Sequence, residues 1–235
     1  MKKHIHLFFD LDHTLWDTDR NAEESLRELF DELNLLDKGI PGFDSFHSCY
    51  RAHNEKLWGL YAENKVGKDA VRLHRFQHTL LDFNVQDDTI AHTLADAFVE
   101  RTPHKRHLIP GAIELLTQLH GKYKLHIITN GFKEAQHTKL NASSIGHFFE
   151  HVIISEEVGV HKPDPRIFHH AIELSGATHA DECMMIGDTF QTDVFGALNA
   201  GFTAVHYAPN GNTEHEAPVI TIRHLAELLD HLNKN

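Results

Sequence analysis

From Pro110 onward, strand-like and helix-like segments alternate, and that alternation restricts the fold more than any other feature of the chain. Ala112 to His120 reads as a helix closed by Gly121. Tyr123 to Ile128 is a largely apolar run, read as a strand, and Lys133 to Ser144 is helical. His151 to Ile154 is a strand, and Pro165 to Ser175 a helix stopped by Gly176. Cys183 to Ile186 is a strand, Gln191 to Ala200 a helix ended by Gly201, and Thr203 to His206 a strand. Ile222 to Leu232 reads as the last helix, with Leu225, Leu228, Leu229 and Leu232 on one stripe. Alternation of this kind predicts a parallel sheet built from right-handed βαβ units, with helices on both faces.

The first strand stands apart from the others. Ile5 to Phe9 is a short apolar run that ends in Asp10-Leu11-Asp12. After it, helical periodicity runs over Asp17 to Leu36, Asp44 to Asn64, Lys68 to Phe83 and Asp87 to Arg101, with no convincing strand between. The expectation is a discontinuous α/β core, residues 1–16 and 107–235, interrupted by a helical insert at 17–106. Trp58, Tyr61 and Phe76 in the insert read as packing residues, and Lys65 and Arg75 as solvated cations.

Composition removes several function classes. The net charge of −12, with no Lys/Arg-rich block, repels nucleic acid polymers. No apolar run is long enough for a transmembrane helix, and the opening segment is too short for an export signal. Cys49 and Cys183 stand far apart without a CxxC partner, so neither a disulfide framework nor structural zinc is expected, and a cytoplasmic setting fits. The 23 histidines are scattered, and no HxxxH pair comes with a third ligand.

In an open parallel sheet the binding edge lies at the C-terminal ends of the strands. Four such ends carry reactive residues here. The first bears Asp10-Leu11-Asp12-His13-Thr14, and the second Thr129-Asn130-Gly131. The loop after the third bears Lys162 within His161-Lys162-Pro163-Asp164-Pro165. The fourth bears Gly187-Asp188 and, five residues on, Asp193. Asp10, Asp12 and Asp188 would converge on one edge, and two carboxylates ~4 Å apart repel by about 4 kcal/mol at an effective dielectric near 20. Mg²⁺ would offset that charge, being a hard ion that takes carboxylates together with a substrate phosphate. Phosphate monoesters need up to ~10²¹-fold acceleration, so a nucleophile, an acid/base and an electrostatic clamp should act together.

The run Asp10-Leu11-Asp12-His13-Thr14-Leu15 resembles the DxDxT signature of the haloacid dehalogenase (HAD) superfamily phosphatases. Thr129, Lys162 and the Gly187-Asp188 to Asp193 segment resemble the later motifs of that superfamily, in order, across nearly the whole chain. The resemblance implies a Rossmann-like core with an inserted α-helical cap of the first subfamily. By the same resemblance, Asp10 is the nucleophile and Asp12 the general acid/base. Thr129, the backbone beside Asn130, and Lys162 hold the phosphoryl group. Asp10, the Asp12 backbone carbonyl and Asp188 bind Mg²⁺, and Asp193 orients Lys162 or a metal-bound water.

Asp12 and Asp188 argue against a dehalogenase, whose halide leaving group needs no proton. No cap lysine can be placed for a phosphonatase. A signalling receiver domain would carry its acidic cluster first rather than last. A small phosphorylated metabolite is therefore the expected partner. Phe9 to Asp17 and Leu57 to Lys65 with Arg75-Phe76 resemble the bacterial pyrimidine 5′-nucleotidase branch, which implies UMP, dUMP or dTMP. Sugar phosphatases and β-phosphoglucomutase-like phosphomutases share the same core motifs.

If the histidines are mostly solvated, with pKa ~6.5, the net charge should change steeply just below neutral pH. Electrophoretic titration between pH 7 and 5 measures this step.

Overall fold

The computed structural model describes residues 4–211 and 219–233, so the outermost ends of the expected core, 1–3 and 234–235, lie outside the described residues. Those residues divide into two compact units: the chain up to Thr18 together with Arg106 onward, and Asp19–Lys105 between them. The elements, in order, begin with β1 (His6–Phe9), α1 (Thr18–Glu32), α2 (Phe43–Ala62), α3 (Lys68–Asp82) and α4 (Asp88–Arg101). There follow α5 (Ala112–Leu119), β2 (Lys124–Thr129), α6 (Lys133–Ala142), β3 (His151–Ile154), α7 (Ser155–Val158) and α8 (Pro165–Ser175). The chain continues through β4 (Cys183–Gly187), α9 (Gly196–Asn199), β5 (Thr203–Tyr207), β6 (Ile220–Ile222) and α10 (Glu227–Asn233).

The six strands form one sheet in the order β3-β2-β1-β4-β5-β6, and every neighbouring pair is parallel. β1 lies between β2 and β4, so the chain leaves it in opposite directions across the sheet. Alternation along the strands sorts their side chains to two faces. Leu7, Phe9, Leu125, Ile127, Met184 and Ile186 pack with Leu115, Leu119, Leu140 and Leu228 from the helices on one side. Phe8, Ile128, Ile153 and Met185 pack with Ile167, Phe168 and Ala197 on the other. Both faces are covered, which is why these strands read as continuous apolar runs rather than alternating ones. Where the chain leaves and re-enters this unit, its two passes are bonded together. Asp17 N–H donates to the His107 carbonyl at 3.0 Å, and Ile109 N–H to the Leu15 carbonyl at 2.9 Å.

The unit Asp19–Lys105 contains helices and no strand among its described residues. Leu26, Leu29, Phe30, Phe46, Tyr50, Phe76, Leu94 and Phe98 form its core. Phe76 and Tyr61 are buried as expected, Trp58 is half-buried against Tyr61, and Lys65 is exposed. Arg75 corrects the sequence reading: it is 4% exposed, not solvated. Its guanidinium donates to Asn54 Oδ1 at 3.1 Å and lies 4.7 Å from the Phe98 ring centre. A planar, weakly hydrated cation over aromatic faces tolerates this burial.

Three further departures have local causes. Ile220–Ile222 is a sixth strand, paired with β5, and α10 begins only at Glu227. The β-branched Ile-Thr-Ile triplet prefers the sheet edge, although the leucine stripe that follows made one helix seem to start at Ile222. Phe190–Phe195 is a π-helical turn rather than the start of an α-helix. The histidines are not all solvated: His6 and His126 are buried inside the sheet. His4, His6, His47, His78, His126 and His161 all have lowered pKa values, with burial as the first cause. The charge step near neutral pH is correspondingly smaller than 23 solvated rings would give.

No described helix is long and apolar enough to cross a membrane. Both cysteines are free thiols. At the centre of the sheet, Phe8 is fully buried, 4.7 Å from the His126 ring and 5.4 Å from Phe202. Phe8→Ala should therefore lower unfolding free energy by about 3–5 kcal/mol, measured by urea denaturation.

Candidate active site

β1 ends at Phe9, so Asp10 is the first residue beyond the strand, and its N–H still donates to the Ile186 carbonyl of β4 at 2.9 Å. The chain then turns sharply. His13 adopts a left-handed φ of 59°, and its N–H bonds to the Trp16 carbonyl at 3.0 Å. That turn keeps Asp10 and Asp12 at the mouth of the sheet while Leu11 and Leu15 enter the core.

Lys162 reaches the same place from the loop after β3. It is 1% exposed, and its ammonium has three acceptors: Asp10 Oδ1 at 2.6 Å, Asp193 Oδ1 at 2.7 Å and the Ile128 carbonyl at 2.8 Å. Three donors meet three acceptors, so the buried charge is both paired and hydrogen-bonded. The neighbouring carboxylates outweigh its burial and raise its pKa. The loop backbone is clamped by Asn130. Lys162 N–H donates to Asn130 Oδ1 at 2.9 Å, and Asn130 Nδ2 donates to the Lys162 carbonyl at 3.0 Å. The Asn130 side chain is thus a positioning group, and only the backbone beside it remains for an anion.

The carboxylates on the β4 side are held as tightly. Asp188 Oδ1 accepts from Thr14 Oγ1 at 3.2 Å, and Asp188 N–H donates to the same hydroxyl at 3.1 Å. Asp193 is 1% exposed and accepts the Thr189 N–H at 3.0 Å. A side chain at Gly187 would collide with Asp193, which explains the glycine before Asp188. Asp10, Asp188 and Asp193 each bring an oxygen within 4.8 Å of the others.

Asp12 has a separate set of partners, and the sequence reading missed them. Lys139 donates to Oδ1 at 2.6 Å, Thr18 donates to Oδ1 at 3.0 Å, and Gln136 donates to Oδ2 at 2.8 Å. Gln136 also donates to Thr129 Oγ1 at 2.6 Å, which ties Thr129 to Asp12. Lys139 lies 4.6 Å over the Trp16 ring centre. Gln136, Lys139 and Leu140 are the buried residues of α6. A helix face at i, i+3, i+4 that carries two polar residues where apolar ones belong was a detectable signal.

The electrostatics separate the carboxylates. Burial pushes Asp10 well above the usual carboxylate range; Lys162 opposes the shift, and Asp193, Asp188 and Asp12 add to it. Burial, then the charge on Asp193, pushes Asp188 up to about 7. Burial would raise Asp12 too, but Lys139 and Gln136 outweigh it and hold its pKa below the ordinary value. With all four ionised, the carboxylates outnumber the two ammonium groups by two, and the raised pKa values of Asp10 and Asp188 express that excess. All the donors are hard oxygens, so the residues fit a divalent ion of the magnesium kind.

Asp12 contributes stability above its unfolded pKa, and that contribution is lost as pH falls through its depressed folded value. Lys139→Met keeps the packing stem and removes the charge. The Asp12 carboxyl carbon should titrate at higher pH in this variant by NMR, and the variant should lose less stability than the wild type on acidification below pH ~4.

Residues 6–201 match the family of haloacid dehalogenase-like hydrolases. The pyrimidine 5′-nucleotidase YjjG of Escherichia coli is 32% identical, covering 94% of this chain and 95% of its own length. The glyceraldehyde 3-phosphate phosphatase of Pyrococcus abyssi is 33% identical, covering 86% and 80% respectively. The magnesium-bound structure of the HAD-hydrolase YfnB from Bacillus subtilis superposes with a TM-score of 0.89 at 29% identity, over 99% of this chain and all of that one. In sequence and in fold, the chain belongs to the haloacid dehalogenase-like hydrolase family.

Proposed function

We propose that this chain is a magnesium-dependent phosphatase of small phosphate monoesters, with pyrimidine nucleoside 5′-monophosphates as its substrate class. The observation that carries the chemistry is the environment of two carboxylates only two residues apart. Asp10 is paired with the buried Lys162 beside the carboxylate cluster, while Asp12 is held by Lys139, Gln136 and Thr18. Such a division suits a nucleophile and a proton carrier.

In the proposed reaction an Asp10 carboxylate oxygen attacks phosphorus, and the bond from phosphorus to the ester oxygen breaks. The leaving oxygen takes a proton from Asp12. Asp12 then accepts a proton from water, the water oxygen attacks phosphorus, and the Asp10–phosphorus bond breaks to release phosphate. The lowered pKa of Asp12 keeps it ionised, the form that the second step needs to accept a proton. A dianionic ester beside it raises its proton affinity by like-charge repulsion, which suits the first. Thr129 and the backbone N–H groups near Asn130 hold the phosphoryl oxygens, and Lys162 joins them by turning the donor it now gives Asp10 to a phosphoryl oxygen once Asp10 bonds phosphorus. Asp10, Asp188 and the Asp12 backbone carbonyl would hold magnesium, which when bound neutralises charge on the phosphoryl group. Asp193, committed to Lys162 and Thr189, is assigned to positioning the lysine.

Dehalogenation would leave Asp12 and its three donors without a task. The nucleotide assignment rests on likeness to the YjjG nucleotidase and on the resemblance carried by Leu57 to Lys65 with Arg75-Phe76. A second reading, sugar or triose phosphates, is favoured by the Pyrococcus relative. A phosphomutase differs only in the acceptor of the phosphoryl group.

Purified protein with Mg²⁺ should release inorganic phosphate from UMP, dUMP or dTMP faster than from sugar phosphates. EDTA should abolish the release reversibly, Asp10→Asn should abolish it outright, and Asp12→Asn should stop steady turnover. Rapid turnover of sugar phosphates with nucleotides ignored would overturn the substrate assignment, and activity retained in Asp10→Asn would overturn the mechanism.

A further inference from the structure

The N-terminal half of the same sheet carries a second group of ligating side chains, away from the carboxylates. His126 in β2 pairs in register with His151, the first residue of β3, and Glu150 immediately precedes His151. Strand geometry places His126 about 10 Å along β2 from Thr129. His126, Glu150 and His151 each bring a ligating atom within 4.8 Å of the others.

The central observation is His126 itself. Its ring is fully buried, yet its Nδ1 has no hydrogen-bond partner. A buried polar atom left unsatisfied is costly and rare in folded proteins. The other ring nitrogen, Nε2, is 3.1 Å from His6 Nδ1. If the proton sits on His126 Nε2 and is donated to His6, a lone pair remains on Nδ1. The opposite tautomer would bury an unpaired N–H instead. A ring whose far nitrogen donates to a neighbour while its near nitrogen offers a lone pair is the usual arrangement of a metal-bound histidine.

We propose that His126, His151 and Glu150 form a binding site for a zinc-type divalent ion, with His6 orienting the His126 ring. Two imidazoles and one carboxylate suit a borderline ion such as Zn²⁺, whereas the oxygen-only cluster suits a hard one. Burial first, then His6, His151 and Lys124, lower the pKa of His126 to about 3, so protons do not compete for its lone pair near neutral pH. Glu150 is exposed and His151 half-buried, which gives the ion a route in from solvent. Lys124 opposes a cation at this site, and the Glu150 carboxylate offsets it. β3 is an edge strand, and the ion would clip it to β2.

The scattered histidines conceal this site from sequence reading. Its ligands come from two strands and are joined only by β pairing, so no HxxxH-like spacing marks them.

The test is equilibrium dialysis of the full chain against Zn²⁺ in excess Mg²⁺, with bound metal counted by atomic spectrometry. Wild-type protein should hold one tight equivalent. His151→Ala and Glu150→Gln, both at accessible positions, should weaken it at least about tenfold, and His6→Phe by about 10–100-fold. Asp10→Asn, which alters the carboxylate cluster, and His74→Ala, in the helical unit, should retain it. Zn²⁺ should raise the melting temperature of the wild type and not that of His151→Ala. The proposal is overturned if the wild type binds no tight zinc, if His151→Ala binds it unchanged, or if the equivalent disappears in Asp10→Asn.

Discussion

The ammonium of Lys162 is the group on which the rest of the site depends. A lysine with 1% exposure is tolerable only where its three protons all find acceptors and its charge finds carboxylates. Asp10, Asp193 and the Ile128 carbonyl meet that requirement, and they come from three separate parts of the chain. Removing one acceptor would leave a buried ammonium N–H without a partner. Removing the lysine would leave buried carboxylates facing each other. The pair of Lys162 with the Asp10–Asp193 carboxylates therefore ties the ends of β1, β2 and β4 together electrostatically as well as through the backbone ladder.

That convergence is a property of the strand order. β1 sits between β2 and β4, and the chain winds outward in both directions from it. Open α/β sheets bind ligands where the winding reverses, because the loops on either side part there. Asp10 leaves the sheet at that reversal. Asn130 then clamps the Lys162 loop, and Thr14 bridges to Asp188. Gly187 leaves room for Asp193. Small residues and short polar side chains hold the functional groups in place, so the geometry is set before any ligand arrives.

Much of the architecture was legible along the chain, because period and punctuation are local. Ile5 to Phe9, the strands read as ending at Ile128 and Ile186, each one residue short of its end in the structure, and the helices stopped by Gly121, Gly176 and Gly201 all announce themselves within a few residues. The reading of Ile222 as the start of a helix failed because a three-residue edge strand is too short to show a period beside a strong leucine stripe. Arg75 was misread because its aromatic surroundings lie on three different helices. Gln136 and Lys139 were missed because their partner, Asp12, is more than 120 residues away in the chain.

The order of elements, their types, and the placing of carboxylates, threonine and lysine at strand ends or in the loops beyond them follow from the sequence alone, since backbone preference and apolar periodicity act over a few residues. Which charge neutralises which was decided only by the tertiary structure. Lys162 meets Asp10 across 152 positions, Thr14 meets Asp188 across 174, and His6 meets His126 across 120. Coulomb and hydrogen-bond energies depend on distance in space and on burial, and neither quantity exists until the sheet has formed.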